Sequence, residues 1–263
     1  MSKKMIVKII SALVVIAIVI PPLYFGGNFL LSLMVIIAAG ASYETARLLE
    51  HKSVLLATIL NFAAVMTMYF VPENFVASVS VLWLVVLFVI ELMRGEVATD
   101  NVVYPFALTF LIGMALRCVR NIYSGSWTGW MVMVFVALAC FLCDTGAYFF
   151  GVFFGKHKMI PAVSPNKTWE GSIGGYFTGF IGSLLFAWFM LPEMPKAFII
   201  TAASFLPLVA QVGDLSFSSI KRRFGIKDFG NLIPEHGGFL DRVDSLIFCL
   251  MVFNALMLIF GVM

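Results

Sequence analysis

Charged side chains are scarce in this sequence. Asp, Glu, Lys and Arg make up 12% of its 263 residues and apolar types 62%, against about 25% and about 45–50% in a soluble domain. One soluble core of this length could not bury so much apolar surface, so a water-soluble globule is excluded. Mean hydropathy is +1.03. Excess charge of either sign is also missing. The net charge of +3 leaves no electrostatic footprint for nucleic acid, and none is expected as a partner. Cysteine is sparse: Cys118, Cys140, Cys143 and Cys249 all lie in apolar stretches. Cys140 and Cys143 form a C-x-x-C, but no second pair is present to close a zinc site, and small packing residues are expected instead. A low-complexity tail and a separate soluble segment are absent as well. No small-x-small cleavage pattern follows the apolar run behind Lys3, Lys4 and Lys8, and bulky residues follow Pro21-Pro22. An uncleaved first span is therefore expected.

What the chain has in quantity is apolar runs of bilayer length. About 20 apolar residues cross the hydrocarbon core as a helix. The runs predict an all-α polytopic bundle of about nine spans, near 7–25, 28–46, 54–71, 75–93, 103–120, 128–150, 169–191, 197–220 and 243–262. Two parts are expected within one integral unit: N-terminal helices over 1–120 and a catalytic region over 121–263. With the N-terminus cytoplasmic, only Arg117, Arg120 and Lys196 of the 17 Lys and Arg fall outside, which sets the orientation. Two polar loops, 151–168 and 221–242, then face the cytoplasm, and a multi-pass protein of the inner (plasma) membrane is expected. Gly171, Gly175 and Gly179 recur every four residues and predict a smooth stripe for close helix packing.

The informative residues are acids in apolar surroundings. Asp144 is the only charged residue between Arg120 and Lys156, and Asp214 the only one between Lys196 and Lys221. A lone carboxylate at mid-bilayer costs about 2.5–3.5 kcal/mol on insertion scales, so it needs a polar cavity, a partner or a cation. An interhelical hydrogen bond or ion pair would also satisfy it. Asp214, Ser218 and Lys221 share a helix face at i, i+4 and i+7, with Arg222 flanking; Asp241, Asp244 and Ser245 sit at i, i+3 and i+4. Between them lie Lys227, Asp228, His236 and the flexible pair Gly237-Gly238. Carboxylates with water suit a hard cation such as Mg2+. Lys167, Lys221, Arg222, Lys227 and Arg242 read as phosphate contacts, Arg as a two-pronged clamp and Lys as a point charge.

The stretch from Ser218 to Asp244 has the form S-x-x-K-R-x4-K-D-x-G-x3-P-x-H-G-G-x2-D-R-x-D. It resembles the hallmark pattern of the phosphatidate cytidylyltransferases without departure. Asp144-Thr-Gly-Ala-Tyr148 with Gly155, Ser164-Pro-Asn-Lys167-Thr-Trp-Glu170-Gly, and Gly213-Asp214 are similar to the same family. The matching segments cover about the C-terminal half. The resemblance implies that CTP and phosphatidate give CDP-diacylglycerol and pyrophosphate, in a helical membrane fold that forms a homodimer. It implies a metal centre on Asp214 and Asp241, with Asp144 as a third acid. One or two Mg2+ ions are expected, a monovalent ion being the alternative.

In such a reaction the lipid phosphate attacks the α-phosphorus of CTP and pyrophosphate leaves in line. Both reactants are anionic, so positioning and charge neutralisation are what a protein can supply. Asp214, Asp241, Lys221, Arg222, Lys227 and Arg242 are the expected catalytic set. Ser164, Lys167, Ser218, Asp228, His236, Gly237, Gly238 and Asp244 are expected to bind substrate. His236 either contacts phosphate or braces its loop. A general base is not required, because a phosphomonoester has a second pKa of about 6. A CTP-dependent enzyme acting on another lipid phosphate shares the pattern. An ion-coupled transporter is the rival of a different class; its sites usually lie on broken helices at mid-membrane. The DG-x2-AR-x8-G-x3-D-x3-D cluster of the CDP-alcohol phosphotransferases is absent.

Overall fold

The computed structural model of the chain describes residues 14, 16–48, 53–95, 98–125, 128–232 and 237–262. His236 and the first part of the expected first span, 7–13, lie outside the described residues. Nine helices follow in order among those described: α1 (Ile16–Phe25), α2 (Gly27–Leu48), α3 (Val54–Phe70), α4 (Val76–Arg94), α5 (Asp100–Ser124), α6 (Gly129–Phe154), α7 (Trp169–Met190), α8 (Lys196–Arg223) and α9 (Leu240–Phe260). A single 3-10 turn, Glu73–Phe75, leads into α4. Seven of these helices are long and apolar enough to cross a membrane, whereas α1 and the 17-residue α3 are shorter. The chain is an all-α, polytopic integral membrane protein.

The loop expected over 151–168 is more ordered than a polar connection. Helix α6 continues to Phe154, and the remainder forms an antiparallel hairpin of β1 (Lys158–Ile160) and β2 (Ser164–Thr168). Pro161 and Pro165 exclude a helix here. Thr168 then caps α7: its hydroxyl accepts the Gly171 N–H at 3.2 Å, satisfying a donor left open by the first turn. Glu170 accepts the N–H groups of Lys156 and His157, both at 3.2 Å, and holds the hairpin stem. The second polar loop is shorter than expected, because Lys221 and Arg222 lie in the last turn of α8 and Asp241 and Arg242 in the first turn of α9.

The chain divides into two compact units, Met1–Arg120 with Phe229–Asp241, and Asn121–Asp228 with Arg242–Met263. In the first, Ala64, Met68, Trp83, Leu87 and Val102 form a core. Trp83 donates its indole N–H to Thr109 Oγ1 at 2.8 Å, which satisfies its one polar atom. Arg117, 4% exposed, donates to the carbonyls of Met68 at 3.2 Å and Val71 at 2.5 Å, while Arg120 donates to Tyr69 O at 2.5 Å. Two cations thus satisfy open carbonyls at the C-terminal end of α3, where the helix dipole favours positive charge.

In the second unit, α6 and α7 meet along the glycine stripe. A Cβ at Gly171 would lie 2.7 Å from Ala147 O, at Gly175 2.5 Å from Cys143 O, and at Gly179 2.7 Å from Ala139 O. Acceptors and glycines both step by four, so the helices touch backbone to backbone. The opposite face of α7 exposes Ile173, Phe177, Ile181 and Leu185, as a lipid-facing side should. Phe135, Phe198 and Phe253 pack edge to face with centroids 5.9 and 5.4 Å apart. All four cysteines are buried and free of disulfides; Cys143 and Cys249 donate to the carbonyls of Pro207 and Leu206, both at 3.4 Å.

Candidate active site

A cavity of about 470 Å³ opens in the second unit, lined by residues of α6, β2, α7 and α8. Three of these elements each bring one charged side chain. Helix α6 contributes Asp144, β2 contributes Lys167 and α8 contributes Asp214. Lys167 Nζ lies 2.5 Å from Asp214 Oδ2, with both side chains about a quarter exposed at 25% and 28%. The charges nearest Asp144 are Asp214, Lys167 and Asp244. Negative charge therefore outweighs positive charge around the cavity.

The walls explain how these groups are held. The close α6–α7 approach puts Gly151 and Gly171 on the cavity wall, where a Cβ at Gly171 would meet Ala147 O at 2.7 Å and one at Gly151 would meet Thr168 Oγ1 at 3.4 Å. The hairpin is fixed to α7 by Thr168 and Glu170, so Lys167 projects from a braced strand. Gln211, one turn before Asp214 on α8, bonds the Ser172 hydroxyl and donates to Ser172 O at 2.9 Å and to Cys143 Sγ at 3.3 Å. That one amide ties α6, α7 and α8 together behind the acids. Ser218 donates to Asp214 Oδ1 at 3.4 Å. Nothing in composition or spacing signals Gln211, because a lone amide in an apolar helix looks like any packing residue.

The remaining expected residues lie as follows. Arg222 donates to Val163 O at 3.2 Å and to Ile226 O at 3.0 Å, clamping the hairpin tip and the loop after α8. Lys221 is buried, whereas Lys227, Asp228 and Arg242 are exposed. Ser164 opens β2 opposite Ile160. Asp244 accepts the Ser245 N–H at 2.7 Å, and Gly213 admits α9 closely: a Cβ there would lie 3.0 Å from Ser245 Cα. Gly237, Gly238 and Asp241 belong to the first unit. Asp241 Oδ2 accepts the N–H groups of Phe229 at 2.8 Å and Gly238 at 3.0 Å. Gly237 has φ +85°, and a Cβ there would sit 3.0 Å from the same Oδ2. Among the described residues no group of three or more His, Cys, Asp or Glu side chains is placed to hold a metal ion. Two carboxylates, Asp144 and Asp214, line the same cavity, and magnesium usually takes only one or two, keeping room for water and phosphate oxygen.

Residues 6–260 match the cytidylyltransferase family. The chain belongs to that family. It is 30% identical over 257 residues to a protein of Staphylococcus haemolyticus named phosphatidate cytidylyltransferase, covering 96% of this chain and 98% of that one. Proteins of the same name from Staphylococcus aureus (strain COL) and Staphylococcus saprophyticus are 43% and 40% identical over 136 and 137 residues. Those alignments take in about half of each chain: 52% of this chain and of the S. aureus protein, and 52% and 53% for S. saprophyticus. The family match covers the helices before residue 121 as well, which the motifs alone do not reach.

Proposed function

We infer that the chain transfers a cytidylyl group from CTP to phosphatidate, yielding CDP-diacylglycerol and pyrophosphate. The observation that carries this reading is the cavity in which Asp144 and Asp214 meet Lys167, on the segments that share the family's motifs. The full-length similarity to a protein named phosphatidate cytidylyltransferase supports it.

The chemistry divides among the chain's own groups. Lys167 neutralises Asp214 while no phosphate is bound and can turn its ammonium to a phosphate oxygen. Lys221, Lys227 and Arg242 add positive charge for the triphosphate, with Ser164, Ser218, Asp228, Asp244, His236 and the Gly237-Gly238 pair shaping its seat. Arg222 combines a phosphate role with its clamp on the hairpin tip. Asp144 and Asp214 would hold a magnesium ion, which supplies positive charge to the phosphates and to departing pyrophosphate. The family pattern adds Asp241 to the donors. The phosphatidate oxygen is already ionised at neutral pH, since the second pKa is about 6, and no side chain need remove a proton.

The proposal extends to the surroundings. Nine spans, a cytoplasmic N-terminus, both polar segments on the cytoplasmic face of the plasma membrane and a homodimer complete it. CTP then arrives from the cytosol while acyl chains stay in the bilayer. The test mixes purified protein with labelled CTP, phosphatidate and Mg2+, with and without chelator. Labelled lipid and stoichiometric pyrophosphate are expected only with Mg2+. Label appearing solely with an isoprenoid or ether-lipid phosphate would reassign the substrate. Cation flux through sealed vesicles without pyrophosphate would replace the reading with a transporter.

A further inference from the structure

We propose that Glu44, in the last turns of α2, is the positioning residue of the segment that carries Gly237, Gly238 and Asp241. Its carboxylate is 0% exposed, and its bonds run to a distant part of the chain. Oε1 accepts the Phe239 N–H and Oε2 the Leu240 N–H, both at 2.9 Å. These are among the first N–H groups of α9, which no residue of that helix can satisfy. The local sequence, Gly237-Gly238-Phe239-Leu240, offers no Ser, Thr or Asn to cap them. A carboxylate from α2 takes that role, and its charge suits the positive end of the α9 dipole.

Two glycines of the motif have their reason here. A Cβ at Gly230 would lie 2.6 Å from Glu44 Oε1, and one at Gly238 2.6 Å from Oε2. Both positions are bare because Glu44 fills the space a side chain would take. Asp241, a charged neighbour of Glu44, is turned the other way, onto the N–H groups of Phe229 and Gly238. Two carboxylates thus share the amides of one segment, and Glu44 leaves Asp241 oriented without touching substrate itself. The inference rests on the proposed reaction for its effect on turnover, and not for its effect on the segment.

The test uses the full-length protein in detergent with two variants, Glu44→Gln and Gly230→Ala. Gln keeps the shape but turns an NH2 group towards a backbone N–H, and Ala pushes an intact Glu44 aside. Hydrogen exchange of residues 229–232 and 237–241 is expected to accelerate about tenfold in both, with α6 and α7 unchanged. Turnover is expected to fall about 10–100-fold, as for lost supporting partners of catalytic groups, with the loss in kcat. The double variant is expected to be no worse than the worse single one, because both act on one contact. Wild-type exchange in 229–232 and 237–241 for the variants that insert, or additive losses in the double variant, would overturn the proposal. If the wild-type protein incorporates no CTP, the proposed reaction fails while the exchange measurement still decides the role of Glu44.

Discussion

At the scale of single residues, the pairing of Lys167 with Asp214 satisfies two charges that would each be costly alone in an apolar setting. Removing one partner strands the other. Asp214→Asn keeps the side-chain shape and the Ser218 contact but removes the charge. CTP incorporation is expected to fall about 100–1,000-fold, the range for loss of a group that stabilises transition-state charge. Lys167→Met is expected to lose a comparable factor, and Lys167→Arg to recover only part of it, since a planar fork does not replace a compact ammonium 2.5 Å from its partner. Initial rates with purified variants, checked for monodispersity in detergent, measure both. An Asp214→Asn protein turning over normally would remove this carboxylate from the reaction.

At the scale of elements, the contacts are backbone to backbone, and small changes should be felt. Gly175→Leu forces a side chain into a space that ends at Cys143 O. A loss of about 1–3 kcal/mol is expected from overpacking, read as a lower midpoint in thermal unfolding. Arg117→Met should cost about 1.5–3 kcal/mol by stripping a charged donor from the α3 carbonyls, with the ratio of kcat to KM per folded molecule unchanged. These two sites differ in how far they could be read in advance. The glycine period is local and visible in one dimension, so α7 is legible as a packing helix. The partners of Arg117 lie 49 and 46 residues away, and those of Glu44 lie 195 and 196 away. No periodicity encodes such pairs, and Glu44 beside Arg47 resembles an ordinary helix end at the membrane surface. The acids Asp144 and Asp214 were legible for the converse reason, because isolation in apolar sequence is itself the signal. The hairpin was not, since strands of three and five residues, with Pro165 inside the second and Pro161 between them, carry no alternation to read.

At the scale of the whole molecule, charge asymmetry decides which face meets the cytosol, and α7 allows a clean test. At 22 residues it is about 33 Å long, enough to cross the hydrocarbon core once. Lys158, in the hairpin before it, and Glu193, in the turn after it, are both exposed and lie beyond opposite ends of this one helix. The four native cysteines are buried, so a cysteine placed at either position should dominate labelling. With the hairpin cytoplasmic, a membrane-impermeant maleimide added to intact cells is expected to label Glu193→Cys and spare Lys158→Cys, and lysis to expose both. The opposite pattern would turn the cavity away from the cytosol. Lys167 stands on that hairpin, so the orientation of α7 also fixes the side from which a nucleotide must enter. A reversed result would therefore contradict the use of cytosolic CTP at this cavity, even if every residue lining it were placed as described.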